Sequence, residues 1–227
     1  MAIPKICGIE TEYAIIQPKL GEQNPIHASS VLVNAYAKQA ELSSKGGVAY
    51  TVEWDFNDET PGNDARGLAP IGSLPPLVET HLVNAVLENG ARFYVDHAHP
   101  EISTPECINA LQVVQYDRSG ERIIELAMSV ANEALPPEEE IVVYKDNSDG
   151  KGNSYGCHEN YLVDRLTPFG EIICHATTHF ITRQIFTGSG KIGVEATGVD
   201  SNSIEYQITQ RADFFEEEVG LETTLKR

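Results

Sequence analysis

Ala91-Arg92-Phe93-Tyr94-Val95-Asp96-His97-Ala98-His99-Pro100-Glu101-Ile102-Ser103-Thr104-Pro105-Glu106 carries seven ionisable or metal-capable side chains in sixteen positions, directly after the turn-forming pair Asn89-Gly90. A strand over Arg92–Val95 has a side-chain period of two. It sends Arg92, Tyr94 and Asp96 to one face and turns Phe93 and Val95 toward a core. Tyr94, Asp96 and, just past the strand end, Glu101 then converge on one bound cation. Oxygen donors of this kind suit a hard divalent ion such as magnesium, and the Arg92 fork suits a phosphate.

Toward the N-terminus, Glu10 and Glu12 in Gly8-Ile9-Glu10-Thr11-Glu12-Tyr13 share one face of a strand. Side-by-side carboxylates repel unless a metal or a cationic partner neutralises them. A solvated edge strand with outward acidic side chains is the alternative. The apolar opening Ile3–Ile9, expected as a buried first strand, favours the metal.

Toward the C-terminus, Ile141-Val142-Val143-Tyr144 has the character of a central strand, and the strand pattern resumes at Tyr161-Leu162-Val163. The intervening Gly, Ser, Asn and Asp residues form a polar loop. It lacks a Walker signature, so a phosphate-wrapping loop and an ordinary long hairpin stand side by side. His158 is a candidate ligand through its company, the alternative being a structural histidine. Cys157 and His158, adjacent on a strand, point to opposite faces, which argues against a paired thiol nucleophile.

Helical spacing predicts Val31–Ala40 behind a Ser29 or Ser30 cap, an amphipathic helix over Pro75–Glu88, and a third over Glu121–Ala134 stopped by Pro136-Pro137. His175–Phe186 is a fourth, threonine-rich and open to a part-strand reading. Leu42–Ser73 has few apolar anchors, as functional or disordered connections do. The expected class is α+β: a mixed, largely antiparallel sheet whose concave face carries Glu10, Glu12, Tyr94, Asp96, Glu101 and His158, with helices packed behind.

A chain of 227 residues, 41% of them hydrophobic, supports a substantial core. Its net charge of −18 argues against nucleic acid and anionic membrane as partners. Cys7, Cys107, Cys157 and Cys174 form no CxxC pair, no signal peptide is apparent, and no apolar run approaches the ~20 residues of a membrane span. A cytoplasmic protein with free thiols is the expectation.

Four blocks, Gly8–Tyr13, Tyr94–Glu101, Asn153–Leu162 and Gln210–Asp213, closely resemble the family of Pup ligases and Pup deamidase/depupylases, carboxylate-amine ligases related to glutamine synthetase. The block Asp96-His97-Ala98-His99-Pro100-Glu101, the segment Trp54–Gly67 and the tail Glu216–Arg227 are similar to the depupylase branch. The resemblance implies Glu10, Tyr94 and Glu101 as magnesium ligands, Glu12 and His158 as further metal-site residues, Asp96 as the catalytic aspartate, and Arg92 and Thr104 as ATP contacts. It implies ATP and magnesium as cofactors, and Pup and pupylated proteins as partners. The reaction is then hydrolysis of the C-terminal glutamine amide of Pup and of the Pup–lysine isopeptide bond, with Asp96 as nucleophile or general base. Family chains are longer, so residues 1–227 are expected to be the N-terminal portion of a single glutamine synthetase-like catalytic domain, with 42–73 as a loop beside the active site. Pup is acidic in the family, which makes Arg183, Arg211, Lys226 and Arg227 candidates for a docking groove. A Pup–protein ligase or related ATP-dependent ligase, and an inactive Pup-binding fragment, are the alternatives.

Overall fold

A computed structural model of the chain describes residues 4–21, 24–44, 50–51, 83–96, 98–150, 152–196, 198–215 and 218–219. Two compact units emerge. One comprises Ala2–Lys145 with Cys157–Leu162, the other Asp146–Gly156 with Val163–Arg227.

The first unit is built on an antiparallel sheet. Its strands β1 (Cys7–Glu12), β3 (Asn84–Val86), β4 (Arg92–Asp96), β5 (His99–Ser103) and β7 (Cys157–Tyr161) lie in the order β3-β4-β5-β1-β7. A separate ribbon pairs β2 (Ala14–Ile16) with β6 (Val142–Tyr144), so the run expected as a central strand pairs only with β2 among the described residues. Of the strand expected over Ile3–Ile9, Ile3 lies outside the described residues and Pro4–Ile6 are not in the strand, whose ladder runs from Cys7 to Glu12 against β5 and β7.

The expected helix over Pro75–Glu88 is corrected in its described part, where Asn84–Val86 is the outer strand of a hairpin with β4. Asn89-Gly90 makes the turn. Gly90 has φ +84°, its N–H donates to Leu87 O at 2.9 Å, and Leu87 N–H donates to Ala91 O at 2.8 Å. A positive φ is readily adopted by glycine, and the pairing this turn imposes outweighs the helical spacing upstream. Most of the 42–73 loop and of the expected helix falls outside the described residues, as do His97, Lys226 and Arg227.

Two helices cover one face of this sheet. Helix α1 (Pro25–Ser43) starts earlier than expected, with Pro25 in its first turn and the Asn24 side chain accepting from His27 N–H at 3.1 Å. Ser29 is instead inside, its hydroxyl donating to Ala98 O at 2.8 Å. Helix α2 (Ala110–Ala134) is capped by Asn109 and runs through Gly120. A Cβ at Gly120 would stand 3.3 Å from Ile102 Cγ2, so the glycine lets this helix lie close on β5. Tyr36 meets Phe93 edge-on at 6.0 Å, and Leu32, Val33, Phe93, Val95, Ile102, Ile124 and Ala127 share one core. Each such large apolar side chain contributes about 1.5–3 kcal/mol through burial.

In the second unit, helix α3 (Phe169–Thr187) is wholly helical, which settles the threonine-rich segment. Strands β8 (Lys191–Ile192) and β9 (Tyr206–Gln207) pair antiparallel. Among the described residues of the 146–156 segment the pairing is that of a hairpin: Ser148 bridges Ser154, and Asp149 N–H donates to Asn153 O at 3.1 Å. Below β8, Lys191 makes ion pairs with Asp213 at 2.8 Å and Glu195 at 3.0 Å. No helix among the described residues is long and apolar enough to cross a membrane.

Candidate active site

Directly paired residues of an antiparallel sheet project to the same face, so the strand register alone assembles the site. Arg92 pairs with Ser103, Ser103 with Glu10, and Glu10 with His158. The adjacent row runs Asn84, Tyr94, Glu101, Glu12. Asp96 and His99 form the next rung. This face lies opposite the one that Phe93, Val95 and Ile102 press into the helices.

The Tyr94 hydroxyl is the hub. It donates to Glu101 Oε2 at 2.7 Å, contacts Glu10 Oε1, and stands 3.2 Å from Ser103 Oγ. Burial, with Glu101 and Glu10 beside it, pushes the phenol well above its ordinary value, so it stays protonated. Ser103 Oγ also donates to Glu10 Oε1 at 3.2 Å, and His158 Nδ1 donates to Glu10 Oε2 at 3.3 Å. The His158 hydrogen bond, aided by Tyr94 and Ser103 against the cost of burial, holds the Glu10 carboxyl at about 2 instead of 4.5.

Glu101 is opposite in character. Burial, and then the charges of Glu12 and Asp96, push its carboxyl far above the ordinary range. Its Oε1 is buried without a hydrogen-bond partner among the described residues. A phenol has one proton, and here two carboxylates crowd it; a cation or an additional proton relieves the excess negative charge. The donor set, all oxygens apart from one imidazole, fits a hard divalent cation. As the side chains stand, with the Tyr94 hydroxyl between Glu10 and Glu101, no group of three His, Cys, Asp or Glu among the described residues is arranged to hold a metal.

Arg92 lies at the edge of this cluster. Its Nε donates to Asn84 Oδ1 at 2.7 Å, and its Cζ is 4.6 Å from the centroid of the Tyr94 ring. Thr104 is placed differently from the other candidates: its hydroxyl accepts from Ile9 N–H at 3.0 Å, and its own N–H donates to Ile9 O at 2.8 Å. Cys157 turns away from His158 and lies 3.8 Å from Thr11 Oγ1, as alternation along the strand requires. All four cysteines are free. Arg211, in the second unit, bonds Tyr155 O and lies over Phe214, while Arg183 lies over Phe180.

Ser103 and Asn84 are the members that motif reading misses. Ser103 follows Glu101 at the strand period in His-Pro-Glu-Ile-Ser, which is the signal that places it; Asn84 becomes visible only once Asn89-Gly90 is taken as a hairpin turn.

Residues 5–227 match the family described as Pup-ligase protein. The chain belongs to this family. It is 47% identical over 228 residues to the depupylase of Acidothermus cellulolyticus, and 45% identical over 229 residues to the Pup deamidase/depupylase of Mycolicibacterium smegmatis; each alignment covers 98% of this chain and 44% of the relative. A Pup–protein ligase of Nocardioides sp. is 41% identical over 63% of this chain and 32% of its own length. The chain thus spans less than half the length of these Pup-ligase family members. Among solved structures, the ligase PafA in complex with the prokaryotic ubiquitin-like protein Pup matches with a TM-score of 0.63 and 27% identity, over 92% of this chain and 35% of that one. The α+β class with its antiparallel sheet is therefore that of a Pup-ligase family member.

Proposed function

We propose that this chain supplies the catalytic centre of an amide hydrolase acting on Pup: it converts the C-terminal glutamine of Pup to glutamate and cleaves the isopeptide bond between Pup and a substrate lysine. The observation that carries the reading is the position of Asp96 on the same sheet face as Glu101, near enough for its charge to raise the Glu101 carboxyl. The longer and closer match to depupylases than to the ligase favours hydrolysis over ligation.

ATP and magnesium are the proposed cofactors, and Glu10, Tyr94 and Glu101, with Glu12 and His158 beside them, would hold the cation. When bound, the cation neutralises the carboxylates and fixes the nucleotide phosphates. Arg92 presents its guanidinium to phosphate from the neighbouring row. Thr104, whose hydroxyl is tied to β1, sets the edge of the nucleotide site through that strand contact. Asp96 acts on the amide carbonyl. Either its carboxylate adds to the carbon, the C–N bond breaks, the amine leaves with a proton and water then opens the resulting anhydride, or Asp96 takes a proton from the water that attacks directly. Pup and pupylated proteins are the partners.

The test is mass spectrometry of Pup bearing a C-terminal glutamine, incubated with magnesium, ATP and the full-length protein, beside its Asp96→Asn variant. The mass increase of amide-to-acid conversion, absent in the variant, is expected. Stoichiometric ATP consumption with isopeptide formation would make the protein a ligase; Pup binding without chemistry would make it a recognition module. Single turnover in heavy-oxygen water separates the two roles of Asp96, because only the anhydride route can leave label in the aspartate.

A further inference from the structure

We propose that Asn84 is a positioning residue for Arg92, fixing the plane of the guanidinium that meets the nucleotide phosphate. This rests on the reading of Arg92 as a phosphate contact given above.

Asn84 occupies a strand position opposite Tyr94, with 4% of its surface exposed. Asparagine is a poor strand former, and a buried amide is costly unless its hydrogen bonds are made. Its Oδ1 accepts from Arg92 Nε at 2.7 Å, a charge-assisted bond lying in the guanidinium plane. The Tyr94 ring meets the same group face-on, with Cζ 4.6 Å from its centroid. One contact is a hydrogen bond to Nε and the other sets the charged carbon over an aromatic face. Together they restrict the poses a long arginine side chain would otherwise sample. Binding a phosphate then costs less ordering entropy. The arrangement also links two parts of the site, because the ring beneath Arg92 carries the hydroxyl standing between Glu10 and Glu101.

The experiment measures MgATP affinity by calorimetry, and KM for ATP and kcat for Pup deamidation, in the full-length protein. The variants are Asn84→Val, which suits a strand, Asn84→Ala, Arg92→Ala and the Asn84→Val/Arg92→Ala double. Loss of one hydrogen bond to a charged group predicts affinity about tenfold weaker in Asn84→Val and a matching rise in KM, with kcat changed less than about twofold. In the Arg92→Ala background the Asn84 substitution adds nothing, since the effect runs through Arg92. Asn84→Ala supplies the same comparison if valine is not accommodated. Wild-type affinity in a folded Asn84 variant, or full additivity with Arg92→Ala, overturns the proposal while leaving the nucleotide reading intact. Failure of the wild-type protein to bind MgATP refutes the nucleotide reading itself, and the role of Asn84 with it.

Discussion

Glu12 and Glu101 stand directly opposite each other on β1 and β5, with 2% and 1% of their surfaces exposed. Like charges placed this way destabilise a sheet, and burial strengthens the repulsion because water does not screen it. Burial and the charge of Glu12 raise the Glu101 carboxyl well above its ordinary range, so it holds its proton to higher pH than a free glutamate does.

Stability without divalent ions follows from that proton. The folded-state value of Glu101 is raised above 4.5, so its contribution is fully present below that pH and is lost as pH rises toward the folded-state value. Thermal melts in chelator should show the wild-type Tm falling, relative to Glu101→Gln, as pH increases above about 4.5. A pH-independent difference between the two would contradict the raised carboxyl.

Magnesium binding should release a proton. Titrations at one pH in buffers of differing ionisation enthalpy are expected to give heats that vary with the buffer, and an affinity that rises with pH. In Glu101→Gln both dependences shrink and the affinity drops by about tenfold or more.

Gly120→Leu should weaken the packing of α2 on β5. The new side chain meets Ile102 Cγ2 at a Cβ distance of only 3.3 Å, and overpacking of this kind costs about 1–3 kcal/mol. Denaturant melts give the loss directly. Gly120→Ala, which gains helix propensity, should cost less.

Lys191→Met should destabilise the second unit more severely. The lysine and Asp213 side chains are both 5% exposed, and removing one partner strands a buried charge, at a cost of about 3–5 kcal/mol. Gln207 Nε2 and Glu195 N–H each donate to Asp213 at 2.8 Å and are left holding that charge. Adding Asp213→Leu to Lys191→Met should recover part of the loss in protease-protection or melting measurements.

The site was more legible than the frame around it. Alternation in Arg92–Asp96 places Phe93 and Val95 inside and Tyr94 on the site face without any knowledge of partners, because a strand's period is intrinsic to its backbone. Gly8–Tyr13 reads the same way. Partner choice is not intrinsic: Ile141–Tyr144 has the composition of a central strand, yet its segment Val142–Tyr144 pairs with the short β2. Leu82, Ala85 and Val86 fit a helical stripe, and only the turn at Asn89-Gly90 decides for a hairpin. Gly120 looks like a break before α2, but it is an interior residue where close approach to Ile102 outweighs the loss of helix propensity, about 1 kcal/mol. Thr104, grouped with Arg92 by resemblance, has its hydroxyl on the backbone of Ile9, a contact with no signature in the sequence.

The row Arg92, Ser103, Glu10, His158 crosses four strands that the chain supplies in the sequence order β1, β4, β5, β7, and its His158–Glu10 contact joins residues 148 positions apart. Hairpins such as β3–β4 join residues close in sequence, whereas β7 meets β1 across most of the unit, and contacts of such long separation form more slowly. On the proposed reading, cation affinity is a property of the finished sheet: a metal-sensitive signal followed during refolding would report the pairing of β7 with β1.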